Sequence, residues 1–305
     1  MKLKPNMLLA ASMVALAAGG AQAAITNANA IPGNSSALFV AMDSGASGTP
    51  TSSLTVDLGV NMTDFLQSFA GVVSGTGALT GAGTNAIWNF GTNSRSVNGS
   101  AVAGDYAWST DVSSFFTNAT GAVKWGVIAA DVVSGAISAS NSVANFNLLA
   151  TGTPTQTNIN QVTSPAALSN GVANFTNFVA GTVGGTHASH AEGASTATGG
   201  NGFLNTVLKG TFGGQLPWTN LSAVGAMTNF SLVNQQANPV VYQIGQSYGV
   251  DTVLASGAAT FQYDGTANTL SYSIPSAVPE PSTLAMMAAG LAFVGSIARR
   301  RRRSL

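Results

Sequence analysis

A chain of 305 residues with ten Lys or Arg, ten Asp or Glu and no cysteine has room for a sizeable core, forms no disulfide and offers no thiolate to a metal or a substrate. Its zero net charge averages unlike parts: Lys2 and Lys4 lie near one end and Glu280 with Arg299 to Arg303 near the other, leaving over residues 24–277 three bases, Arg95, Lys124 and Lys209, against nine acids. That middle carries a net charge of about −6, which disfavours nonspecific binding to nucleic acid, and its abundant Gly, Ser, Thr, Asn and Ala describe a surface solvated by hydroxyls and amides.

In chain order, Lys2 and Lys4 precede an apolar run over residues 7–18, and Ala21-Gln22-Ala23 then supplies a small-x-small cleavage pattern. Residues 1–23 therefore read as a signal peptide cut after Ala23 by signal peptidase, and 24–277 as one exported domain. Residues 37–42 and 54–59 read as two strands joined by the turn-rich segment from Asp43 to Pro50, which predicts a hairpin. Thr63 is placed to cap a short helix carrying Phe65, Leu66 and Phe69 at helical spacing. Trp88 and Phe90 predict another strand, 111–118 a short helix, and 123–133 a long, central strand. Ser164-Pro165 opens a predicted helix with Leu168, Val172, Phe175 and Val179 on one face, and a loop follows over 181–202. Order resumes at 203–208 and 239–244. Phe261 and Tyr263 alternate before Asp264-Gly265 and Leu270, Tyr272 and Ile274 after it, which predicts a closing hairpin. The fold class is mainly β: a sandwich-like antiparallel domain with a few short helices.

Residues 278–305 have three parts. Pro279 and Pro281 keep regular helix away from Glu280, residues 283–298 carry no charge and suit hydrocarbon as a short transmembrane helix, and Arg299, Arg300, Arg301, Arg302 and Arg303 in the tail 299–305 hold that end on the cytoplasmic side. Val278-Pro279-Glu280-Pro281-Ser282, the apolar stretch and the arginine run together resemble the PEP-CTERM sorting signal of Gram-negative bacterial surface proteins. The resemblance implies recognition by an exosortase, cleavage near Pro279 to Pro281, passage through an inner-membrane intermediate to the cell surface or extracellular matrix, and a setting of exopolysaccharide and biofilm. The segment from Leu38 to Leu58 taken with Lys124-Trp125-Gly126-Val127 also resembles a recurrent surface domain of such proteins, and this adds no activity.

Candidate chemistry in the exported domain is thin. His187, His190 and Glu192 lie close enough in sequence to meet one transition-metal ion, in an order unlike that of a zinc-protease helix. Gly245-Gln246-Ser247-Tyr248-Gly249 matches a nucleophile elbow, but no histidine follows it to complete a hydrolase triad. Asp105, Asp111 and Asp131 have no calcium-loop or glycosidase spacing and read as caps and turns. Seven Asn-x-Ser/Thr sequons, at Asn34, Asn61, Asn98, Asn118, Asn174, Asn220 and Asn229, follow from the composition. No cofactor and no catalytic residue is expected. The reading is a structural or adhesive surface protein whose exposed aromatics and amides bind extracellular polysaccharide, with exosortase, signal peptidase and the membrane as its other partners. The alternative is a secreted hydrolase of matrix polysaccharide, which needs two carboxylates converging in one cleft.

Overall fold

The structure, a computed structural model, describes residues 35–65, 78–134, 145–152, 178–179, 182, 184–199, 203, 221–235, 240–243, 259–276, 286–287 and 289–293. The chain divides into two compact units, Met1–Pro275 and Ser276–Leu305.

In the first unit the described residues form fourteen strands in chain order: β1 (Ser36–Asp43), β2 (Ser52–Asn61), β3 (Asn85–Asn89), β4 (Ser94–Val97), β5 (Ser100–Val102), β6 (Tyr106–Ala107), β7 (Val123–Ser134), β8 (Asn145–Thr151), β9 (Glu192–Ala197), β10 (Ser222–Ala223), β11 (Met227–Gln235), β12 (Val240–Gln243), β13 (Thr260–Asp264) and β14 (Thr269–Ser273). One α-helix, α1 (Ser109–Asn118), and two 3-10 turns, Met62–Phe65 and Gly185–Ala188, accompany them. The strands join in one mainly antiparallel, curled sheet running β5-β4-β3-β14-β13-β11-β8-β7-β1-β2-β9-β6, with β10 on β7 and β12 on β11. The β6–β9 pair is parallel, a departure from the antiparallel expectation. Strand β11 turns the corner of the curl: Met227 to Asn229 pair with β13, and the residues from Phe230 onward pair with β8.

Alternation sets the inward face. Phe39 and Ala41 of β1, Leu54, Val56 and Leu58 of β2, Ala86 and Trp88 of β3, Phe261 and Tyr263 of β13, and Leu270 and Tyr272 of β14 all fall on one buried core, because side chains two apart share a sheet face. The curl brings distant strands together there, with the Phe39 and Tyr263 rings 4.9 Å apart and Phe39 5.1 Å from Phe90. Edge-on contacts join Phe65 to Tyr272 at 5.3 Å and Phe90 to Trp108 at 5.4 Å, each worth about 1 kcal/mol beyond burial.

The predicted first hairpin, the helix ahead of β7, β7 itself between β8 and β1, and the closing hairpin are all present. Thr63 lies inside its 3-10 turn rather than capping it; Leu66, Phe69, the predicted helix from Ser164 up to 177 and residues 204–208 lie outside the described residues. The segment expected to be loop over 181–202 contains β9, which pairs with β2 from Val56↔Ala194 to Ser53↔Ala197.

Candidate functional site

Between Ser36↔Asn61 and Leu38↔Asp57 the β1–β2 register slips, so β2 carries two more residues than β1 across this interval. Such a bulge leaves main-chain groups without ladder partners. Here they are caught from elsewhere in the chain. Trp108 Nε1 donates to the Asp57 carbonyl at 2.9 Å and Trp88 Nε1 to the Leu58 carbonyl at 2.7 Å. Arg95 donates from Nη1 to the Leu58 and Gly59 carbonyls, and its guanidinium stands 5.9 Å from the centre of the Tyr106 ring. Gly59 is required at the turn of the bulge: its φ is +63°, and a Cβ there would lie 2.7 Å from Glu192 Cγ.

Asp57 is the buried carboxyl of this cluster, 4% exposed. Burial pushes it up to about 7, and the nearby Glu192 charge adds to that, against hydrogen bonds from the Gly59 N–H and the Ser36 side chain. Glu192 accepts from the Asp105 N–H at 2.9 Å. These two carboxyls come nearest to a general acid and base, but Asp57 is turned into the protein and held there. The indoles likewise point their only donors at main-chain carbonyls, so the chemistry of this cluster holds the backbone.

The histidine loop lies beside it. His190 Nδ1 pairs with Asp105 Oδ1 at 2.9 Å, and Ala191 N–H donates to the other oxygen at 3.1 Å; the side-chain bond to His190, then that N–H, hold the Asp105 carboxyl below its usual range. His187 is buried, and among the described residues neither ring nitrogen meets a partner at full hydrogen-bond geometry. Burial lowers its pKa to about 4, outweighing the Thr55 backbone and the Asp111 charge. The two histidines thus face different surroundings, and among the described residues no group of three His, Asp or Glu side chains is placed to hold a metal. Thr186 ties this loop down through Asp111 Oδ2, which its N–H and Oγ1 reach at 3.1 and 3.0 Å, and through the Ala194 N–H, which donates to Thr186 Oγ1 at 2.8 Å.

Residues 245–249 lie outside the described set, as do Asn34, Asn174 and Asn220, and also Ala21, Ala23, residues 278–282 and Arg299 to Arg303. Of the remaining sequons, Asn98 and Asn118 are exposed. The aromatics expected at the surface sit elsewhere: Trp88, Trp108, Trp125, Tyr263 and Tyr272 are fully covered, because each ring removes more apolar area from water than any other side chain can. Arg95 was the missed member of the bulge cluster; the signal for it was that so few cations remain in the domain.

In the second unit, residues 286–287 and 289–293 are helical, and Met286, Met287, Leu291 and Phe293 are 60 to 74% exposed. Among the described residues no helix is long and apolar enough to cross a membrane. Comparison with curated proteins and with solved structures gives no significant match. Residues 277–303 match the family model of the PEP-CTERM protein-sorting motif, and the C-terminal end of this chain is therefore a PEP-CTERM sorting signal.

Proposed function

We propose that this is an exported surface protein whose C-terminal signal is sorted and cut by an exosortase, and whose remaining domain is a structural or adhesive component of the extracellular matrix rather than an enzyme. The match over residues 277–303 carries the reading. Val278 to Ser282 serve as the recognition and cleavage segment, residues 283–298 span the membrane, and Arg299 to Arg303 anchor the cytoplasmic end. Exposed Met286, Met287, Leu291 and Phe293 suit contact with lipid. Signal peptidase removes residues 1–23 at the other end. The absence of disulfide chemistry and the Phe39–Tyr263 contact across the curl support a sandwich-like domain stabilised by packing alone. A mechanical role is supported by where the polar tips of Trp88, Trp108 and Arg95 go, namely to main-chain carbonyls.

The test is intact and C-terminal peptide mass spectrometry of the protein from its native cells, with and without the exosortase. Loss of everything beyond Pro279 to Pro281 only when the enzyme is present is the expected result. Leu305 retained in both would overturn the reading and leave a tail-anchored protein.

A further inference from the structure

The start of α1, the end of β3 and the turn between β13 and β14 enclose a groove of about 370 Å³ lined by Phe90, Gly91, Ser109, Thr110, Val112, Ser113 and Asn268. Its volume is that of a small-molecule site, and its chemistry is narrow. No lining residue carries a charge. Ser113 follows Ser109 by four residues and Thr110 by three, which sets the hydroxyls along one side of the helix, while Phe90 and Val112 form a buried apolar floor.

The walls are fixed before anything binds. Asn268, at φ +50°, takes the Phe90 N–H on its carbonyl at 2.9 Å and the Tyr263 hydroxyl on Oδ1 at 3.0 Å. Asn93 Oδ1 accepts from the N–H groups of Trp108 and Ser109 at 2.7 and 2.8 Å, and its amide donates to Ser109 Oγ at 3.1 Å. Among the described residues the hydroxyls of Thr110 and Ser113 and the Asn268 Nδ2 amide keep unused hydrogen-bonding capacity. A rigid, uncharged concavity with hydroxyl and amide groups over an apolar floor recognises a ligand with alternating hydroxyl and C–H surface. Cations find no carboxylate here, and anions meet a net acidic domain with no guanidinium or ammonium in the groove.

We propose that this groove binds sugar units of an uncharged glycan, by hydrogen bonds from Thr110, Ser113 and Asn268 rather than by aromatic stacking. The proposal rests on the adhesive reading above and gives it a place in the fold. Affinity for a short oligomer is millimolar in order, since few atoms are engaged on an open face.

Saturation-transfer NMR on the full-length protein in detergent micelles tests it with cellotetraose, maltotetraose and tetra-N-acetylchitotetraose, and with tetragalacturonate as the anionic counterpart. Transfer to at least one neutral tetramer and none to tetragalacturonate is expected. Gly91→Leu fills the groove without backbone strain, since a Cβ at this position meets only Asn89 Oδ1 at 3.4 Å and Asn268 Cβ at 3.9 Å. The double substitution Thr110→Ala with Ser113→Ala removes two exposed hydroxyls. Each variant, with an unchanged unfolding midpoint, is expected to weaken binding by about fivefold or more. Neutral-sugar binding that survives in both variants overturns the groove and leaves the adhesive reading standing. No transfer to any neutral tetramer overturns both, while the sorting route is judged separately by its own mass measurement.

Discussion

Two aspartates on the first hairpin are covered almost equally, Asp43 at 1% and Asp57 at 4% exposure, yet their carboxyls titrate in opposite directions. Asp43 sits shallowly at the end of β1. Its oxygens accept from the N–H groups of Gly45, Thr120 and Gly121 at 2.9, 3.0 and 2.9 Å and from the hydroxyls of Thr51 and Thr120 at 3.0 and 3.3 Å. Burial pushes this carboxyl up, but the backbone donors led by Thr120 and Gly45 bring it down to about 2. Asp57 lies deep beside the bulge with two donors and a neighbouring carboxylate, and stays near 7. Burial raises both carboxyls, and the outcome depends on whether enough donors are aimed at the group to overcome it, as they are at Asp43 and are not at the deeper Asp57.

The comparison is broken most severely at Trp108. Trp108→Ala is expected to cost about 4 kcal/mol in denaturant unfolding, and the water it admits to Asp57 should bring that carboxyl down in an NMR titration. Asp57→Asn comes next. The folded protein holds a proton on Asp57 that the unfolded chain releases, so this residue lowers stability as pH rises from about 4 to about 7. The amide should therefore raise stability at pH 8 by about 3 kcal/mol and change it little at pH 4. Equal effects at both pH values would show that Asp57 is not protonated in the fold.

Asp43→Asn has the opposite sign, with an expected loss of about 2 kcal/mol at pH 7. Because the folded carboxyl lies below its unfolded value, that loss should fade as pH drops from about 4 to about 2. The smallest effect is that of Glu192→Gln, which keeps an acceptor for the Asp105 N–H. It should lower the Asp57 pKa and change stability at pH 8 by about 0.5 kcal/mol; an unmoved Asp57 titration would remove Glu192 from the account.

What was legible in the sequence follows from range. The first and last hairpins were readable because each joins apolar strand residues through a turn that begins with Asp and contains Gly, all within some 25 residues. Helix α1 begins two residues before the expected 111–118, at Ser109. Strand β9, Glu-Gly-Ala-Ser-Thr-Ala, has no large apolar residue and is held by ladder bonds to β2 and by Thr186, so periodicity passed over it. Strands β4 and β5 turn on Asn98-Gly99, both at positive φ, a hairpin signal hidden among polar neighbours. The bulge was out of reach altogether, because the groups that satisfy it lie 30 to 51 positions from the carbonyls they catch. Most of the large rings described in the first unit proved to be core, a reminder that abundant hydroxyls can solvate a fold while its aromatics are withdrawn.

The place of β14 reaches beyond stability. It lies between β3 and β13 in the interior of the sheet, although it is the last strand before the sorting signal. Its partner β3 is nearly two hundred residues upstream, so that pairing closes a long loop and forms slowly. A chain threaded outward from its N-terminus leaves β3 with an open edge until residue 273 has emerged. By then the sorting signal follows immediately behind, so the interior of the sheet closes only once nearly all of the chain ahead of that signal is available to pair.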